Sequence, residues 1–89
     1  MRQVPLSELL SRRRKELDVT QQVIADRVHL ATMTVSHWEK GRSAPGKDIA
    51  VEVAAAYELD PHVIALAAYG LYYEQESPAP PPRQLATAG

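Results

Sequence analysis

Residues 20–41 read TQQVIADRVHLATMTVSHWEKG, and their spacing decides the fold. Apolar side chains fall at Val23, Ile24, Val28, Leu30, Val35 and Trp38, a helical rhythm that breaks once, between Val28 and Ala31. Such a break predicts two short amphipathic helices joined by a tight turn and sharing one small core. Thr20 stands as N-cap of the first, predicted over 21–28, although Val23 at the third position leaves the reciprocal capping box incomplete. The second is predicted over 32–40, with Gly41 as its C-terminal stop. Its apolar residues turn inward, which leaves Thr32, Met33, Ser36, His37 and Lys40 on a free face.

Upstream, Leu6, Leu9, Leu10 and Leu17 recur at helical intervals behind Pro5 and predict a helix over 6–17. Arg12, Arg13, Arg14 and Lys15 then gather near its C-terminal end, where cations suit the macrodipole. Downstream, Ser43-Ala44-Pro45-Gly46 has the chemistry of a loop. A fourth helix over 47–58 places Ile49, Ala50, Val53, Ala54 and Tyr57 on one stripe, with Asp48, Glu52 and Glu58 off it. Asp60-Pro61 is an N-cap followed by proline at the first helical position, and it starts a fifth helix carrying Val63, Ile64, Ala67 and Ala68. No strand pattern competes with these five. From Ser77 the sequence SPAPPPRQLATAG is expected to form an extended, mobile tail.

The chain has 89 residues, and its Pro-rich end trims the part that can fold to about 70, near the lower limit for one self-sufficient core. Marginal stability or dimerisation is expected. Without cysteine there is neither a disulfide framework nor a thiolate metal site, and the intracellular default holds. No run approaches the about 20 apolar residues of a membrane span, and the N-terminus lacks a signal-peptide pattern, so a soluble chain is expected. The net charge of −1 divides unevenly: residues 1–47 carry nine Lys and Arg against five acids, whereas residues 48–89 carry one base and six acids. Phosphate attraction depends on the field within a Debye length of about 8–10 Å, so what counts is the face on which the basic set lies, not the total. The two-helix segment over 20–41 makes DNA the leading partner.

Laid along the chain, Arg14, Thr20-Gln21, Ala25, Val28, Val35-Ser36, Trp38-Glu39-x-Gly41, Pro45, Val53-Ala54 and Leu59 fall at the spacing of the Cro/C1-type (XRE-like) helix-turn-helix domain, which they resemble over residues 6–64. The resemblance implies an all-α, five-helix lambda-repressor-like bundle whose third helix enters the major groove, usually as a two-fold dimer. With the composition of the C-terminal end, the chain is expected to divide into a DNA-binding domain over 1–76, with core 6–64 and an extension over 65–76 that could be helical, and a tail over 77–89. Carried over by position, Ala31, Thr32, Met33, Ser36 and His37 match base-reading residues. Gln21 matches the glutamine that touches backbone phosphate and can brace the first reading residue. Lys40, Arg42 and Lys47 occupy the loop region that lies along the sugar-phosphate chain, and Arg14 with Glu39 matches a structural ion pair.

Departures from the family pattern bear on register. His29 stands where glycine is usual, in a left-handed turn that non-glycine residues adopt uncommonly. Ala31 replaces the usual Ser or Thr cap of the third helix; Thr32 could take that role only by moving the helix start one residue and rotating its reading face. Arg13 and Lys47 fall where apolar residues are common, so their stems are expected to lie over the core.

Met33 can offer only apolar contact, suited to a thymine methyl, while Thr32, Ser36 and His37 can hydrogen-bond bases or phosphates. No residue supplies a bidentate Arg–guanine or Asn–adenine pairing, so modest specificity per half-site is expected, with dimerisation and DNA shape supplying the rest. The histidines, His29, His37 and His62, lack metal-ligand spacing, no nucleophile has a recognisable base beside it, and no glycine-rich phosphate loop exists. No catalytic residue, metal or cofactor is expected. Leu66, Tyr69, Tyr72 and Tyr73 supply more apolar surface than a bundle ending near residue 64 needs. Two uses stay open: packing back onto the first helix, or contact with a second copy or another protein. The reading is thus a non-enzymatic, DNA-binding repressor of bacterial or phage type, homodimeric and cytoplasmic, in the nucleoid or an infected host. Its rival is a protein-interaction module such as an antitoxin, an anti-repressor or a polymerase-contacting adaptor.

Overall fold

In the computed structural model, which describes residues 1–75, five α-helices follow one another: α1 (Leu6–Glu16), α2 (Gln21–Val28), α3 (Thr32–Lys40), α4 (Ala50–Ala56) and α5 (Pro61–Ala68). Each contributes to one core. Leu9 and Leu10 of α1, Ile24 and Ala25 of α2, Val35 and Trp38 of α3, Val53 and Ala54 of α4, and Ile64 and Ala67 of α5 are all buried. The alanines let neighbouring helices approach closely. Helix α3 packs against α1 and α2, while α5 packs against α4 and α1. Truncating one of the larger side chains, such as Leu10 or Ile64, to alanine would cost about 2–5 kcal/mol. That is a large share of the about 4–11 kcal/mol that a domain of this size holds in total.

The helix ends show how the bundle is closed. Three of them terminate in a non-glycine residue with left-handed backbone: Asp18 (φ 59°) after α1, His29 (φ 59°) after α2 and Glu58 (φ 55°) after α4. In each case the next residue's N–H reaches back into the last turn, from Val19 to Arg14 O, Leu30 to Ala25 O and Leu59 to Ala54 O. These bonds satisfy carbonyls that would otherwise lack partners. Gly41 (φ 77°) and Gly70 (φ 74°) do the same work after α3 and α5 with no Cβ in the way. The expected caps at the other ends are present: Thr20 Oγ1 accepts from Val23 N–H, and Asp60 Oδ1 accepts from His62 N–H ahead of Pro61.

Three expectations need correction. The fourth helix does not run over 47–58: Lys47–Ile49 is a 3-10 turn, Ile49 leaves helical geometry (φ −115°, ψ 9°), and α4 proper is short. It stops where Arg13 and Arg27 reach its end. Arg13 Nε and Nη2 donate to the carbonyls of Tyr57 and Glu58, and Arg27 Nη1 donates to that of Ala56 at 2.9 Å.

Second, the chain does contain strands, β1 (Arg2–Gln3) and β2 (Tyr73–Glu74), paired antiparallel with Arg2 opposite Glu74 and Gln3 opposite Tyr73. Two residues cannot display a period-2 pattern, which is why no sequence signal marks them. Third, of the helical extension expected over 65–76, α5 carries helix as far as Ala68, and residues 69–75 add no further helical turn. Gly70 ends α5 and turns the chain back to its own beginning, where Val4 N–H donates to Tyr72 O at 3.0 Å and the Gln3 amide donates to Gly70 O at 2.7 Å. Arg12 pairs with Glu74, which also accepts from the Tyr72 hydroxyl at 2.9 Å. The proline-rich segment over 77–89 lies outside the described residues, and among those described no helix is long and apolar enough to cross a membrane.

Candidate nucleic-acid interface

The turn between α2 and α3 sets where the free face points. His29 adopts the left-handed conformation (φ 59°, ψ 43°) with an exposed side chain, so the glycine-like turn is kept at some cost in backbone strain. Ala31 is the N-cap residue of α3 (φ −74°, ψ 147°) and offers no side-chain bond to the helix. The helix start therefore does not move to compensate. Thr32 is held in the first turn, and its hydroxyl is engaged elsewhere.

Val35 and Trp38 anchor α3 to the core. At about 100° per residue, Met33, Ser36, His37 and Lys40 fall on roughly the opposite side, with Thr32 at the edge nearest α2. Exposure agrees: Met33 is 68% exposed, Ala31 and Lys40 are exposed, and Thr32, Ser36 and His37 are half-buried. A large apolar side chain standing that far into solvent buries little within the domain. Lys40 and Arg42, which follow at the end of α3 and in the next loop, are exposed and have no side-chain partner among the described residues.

Behind this face lies a buried polar network. The Glu39 carboxylate, 3% exposed, accepts from Arg14 Nε at 2.9 and 3.0 Å, from the Tyr57 hydroxyl at 2.8 Å and from the Gln21 amide at 3.2 Å. Arg14 also donates to Val19 O at 3.0 Å. One carboxylate thus ties α1, the start of α2, α3 and the end of α4 together, and it fixes the tilt of α3 on the bundle. Burial, and then the bond to Glu39, push the Tyr57 phenol well above its ordinary range. Arg14 and Glu39 form an ion pair, and the sequence, which placed Tyr57 on the core stripe of the fourth helix, shows no sign of its bond to Glu39.

The brace that Gln21 could give the reading face is not made by it, since its amide donates to Glu39. That place is taken by its exposed neighbour Gln22, whose Oε1 accepts from the Thr32 hydroxyl at 2.6 Å while its Nε2 donates to Asp26 Oδ1 at 2.8 Å. The only sequence trace of this arrangement is the Gln22–Asp26 spacing of four, which puts both on one helix face. Thr20, Gln21, Gln22 and Thr32 line one side of a shallow groove where the two helices begin.

The basic run of α1 proves mostly structural. Arg12 holds Glu74, Arg13 caps α4 and Arg14 holds Glu39, so only Lys15 has no side-chain partner among the described residues. Arg13 was expected to extend its charge toward solvent or phosphate, and its guanidinium closes a helix end. Lys47 is exposed, with Nζ 5.6 Å from the centroid of the Tyr69 ring. An exposed cation–π contact contributes only about 0.5–1 kcal/mol, which a phosphate can outcompete. Of the segment 65–76, Leu66, Tyr69 and Tyr73 are exposed, whereas Tyr72 is half-buried against the core and is part of the fold. Among the described residues no group of three or more His, Cys, Asp or Glu side chains could hold a metal ion.

Two helices joined by a left-handed turn, the second braced from behind and bare in front, define a helix-turn-helix protein that binds DNA and regulates transcription. The chain belongs to the helix-turn-helix family, whose sequence model matches residues 10–64. Its fold is shared with the P22 c2 repressor in complex with the synthetic operator 9T, at 21% identity and a TM-score of 0.65, over 68% of this chain and 92% of that one. The solution structure of the DNA-binding domain of the P22 c2 repressor is similarly alike, with 22% identity, a TM-score of 0.67, and 73% and 86% of the two chains covered. No curated protein sequence matches the chain.

Proposed function

We propose that this regulator is a repressor, that residues 1–76 are its DNA-binding unit, and that it occupies an operator with α3 in the major groove. The bare face of α3, locked in orientation by the buried Glu39 network, carries the reading. Ala31, Thr32, Met33, Ser36 and His37 meet base edges, with Met33 against a thymine methyl. Lys40 and Arg42 take backbone phosphates, and Lys47 joins them by leaving Tyr69. Gln21, at the first position of α2, contacts backbone phosphate at the helix N-terminus.

A domain this small gains stability and specificity by pairing, and the exposed Leu66, Tyr69 and Tyr73 are the surface for a second copy. The unit works without catalysis, in the cytoplasm of a bacterium or of a phage-infected host. Selection of the full chain against a random duplex library tests the reading directly. A palindromic motif should be enriched, with affinity falling steeply as salt rises. Absence of any enriched motif, with negligible affinity at low salt, would refute it.

A further inference from the structure

Gln22 is not among the residues that the family resemblance assigns to DNA, yet it holds Thr32, the one reading side chain with a hydrogen-bonded partner among the described residues. The Asp26 carboxylate, one turn along α2, accepts from Gln22 Nε2 at 2.8 Å. A carboxylate at neutral pH can only accept, so the amide must turn its NH2 end that way and its oxygen toward Thr32. An amide oxygen also only accepts, so Thr32 Oγ1, 2.6 Å away, must give its proton to Gln22. What the hydroxyl has left is its lone pairs. Thr32 therefore meets any further partner as an acceptor.

We propose that the chain Asp26–Gln22–Thr32 sets base specificity at one operator position. Thr32 selects a base whose major-groove edge carries an amino group, adenine through N6 or cytosine through N4, over guanine and thymine, whose edges offer only acceptors. Every base pair has one such amino group, so the selection is of which strand presents it. Thr32 makes the contact; Gln22 is a positioning residue acting through it, and Asp26 orients Gln22. This inference rests on the reading that α3 enters the major groove.

The test is library selection with the full chain and four variants, each checked by thermal melting; Gln22 and Asp26 are exposed, so folding is expected to survive. Thr32→Val locates the position by abolishing its preference. There the native chain should favour A or C by about 3- to 10-fold, the span of one net hydrogen bond. Gln22→Glu keeps an acceptor-only partner and should keep the preference, even though added negative charge weakens binding overall. Gln22→Leu frees the hydroxyl to donate, and Asp26→Asn lets the amide turn over; both should reduce discrimination to less than about 2-fold. A native preference for G or T there, or an unchanged preference in Gln22→Leu and Asp26→Asn, overturns the proposal. If Thr32→Val leaves a sharp motif unaltered, the proposal fails while the DNA reading stands. If the native chain enriches no motif, both fail.

Discussion

Replacing Arg14 by methionine isolates the energetic weight of the polar network behind α3. The substitution keeps most of the aliphatic stem and removes the guanidinium. Glu39, with its side chain 3% exposed, then loses both contacts at 2.9 and 3.0 Å and keeps only two neutral donors, the Tyr57 hydroxyl at 2.8 Å and the Gln21 amide at 3.2 Å. The Val19 carbonyl loses its 3.0 Å partner as well. An ion pair broken from one side in such surroundings costs about 3–5 kcal/mol, because the remaining charge stays buried. An exposed pair would cost less than about 1 kcal/mol. For a domain of this size each kcal/mol moves Tm by about 4–8 °C, so the expected drop is about 12–40 °C.

Urea titration followed by circular dichroism, with calorimetry for Tm, gives the number. Glu39→Leu combined with Arg14→Met should recover a substantial part of the loss, since no uncompensated carboxylate remains. A single-variant loss under about 1 kcal/mol, or a double variant no better than the single, would refute the argument that burial makes this pair matter.

Other sites give sharper, smaller effects. Ala31→Ser supplies the missing cap of α3 and should add about 0.5–2 kcal/mol in chemical denaturation. At position 29, glycine should be tolerated or mildly stabilising, whereas His29→Val, branched at a φ of 59°, should destabilise by about 1–3 kcal/mol in the same titration. The Arg12 guanidinium, with help from the Tyr72 hydroxyl, holds the Glu74 carboxyl below its ordinary value of 4.5. Because the folded-state pKa is the lower one, the clasp's contribution is fully present above that ordinary value and is lost as pH falls through the folded one. Protection of the Val4 amide, its exchange rate taken relative to the intrinsic rate at each pH, should therefore fall on acidification, and Glu74→Gln should remove that pH dependence. Lys40→Ala and Arg42→Ala should each weaken binding to all duplexes alike and lower the salt slope by about 1, measured by fluorescence anisotropy across salt concentrations.

Much of this molecule can be read along the chain, because the deciding forces are local. Apolar residues three and four apart specify each helix, Thr20 and Asp60 start two of them, Gly41 stops a third, and the interruption at residues 29–31 separates the two helices of the helix-turn-helix. What escaped the sequence depends on long side chains reaching between elements far apart in number. Arg13 and Arg27 meet the end of α4 from helices that begin tens of residues earlier, Tyr57 joins Glu39, and the two ends of the described chain pair as strands too short to leave a pattern.

The same holds for the choice between two adjacent glutamines. Gln21 and Gln22 are chemically identical, and the spacing of the family favours the first. Only packing shows that Gln21 faces the buried Glu39 while Gln22, one residue and about 100° further round α2, stands beside Thr32. Periodicity says which side of a helix is buried; which atom a side chain meets there is decided by how the helices cross.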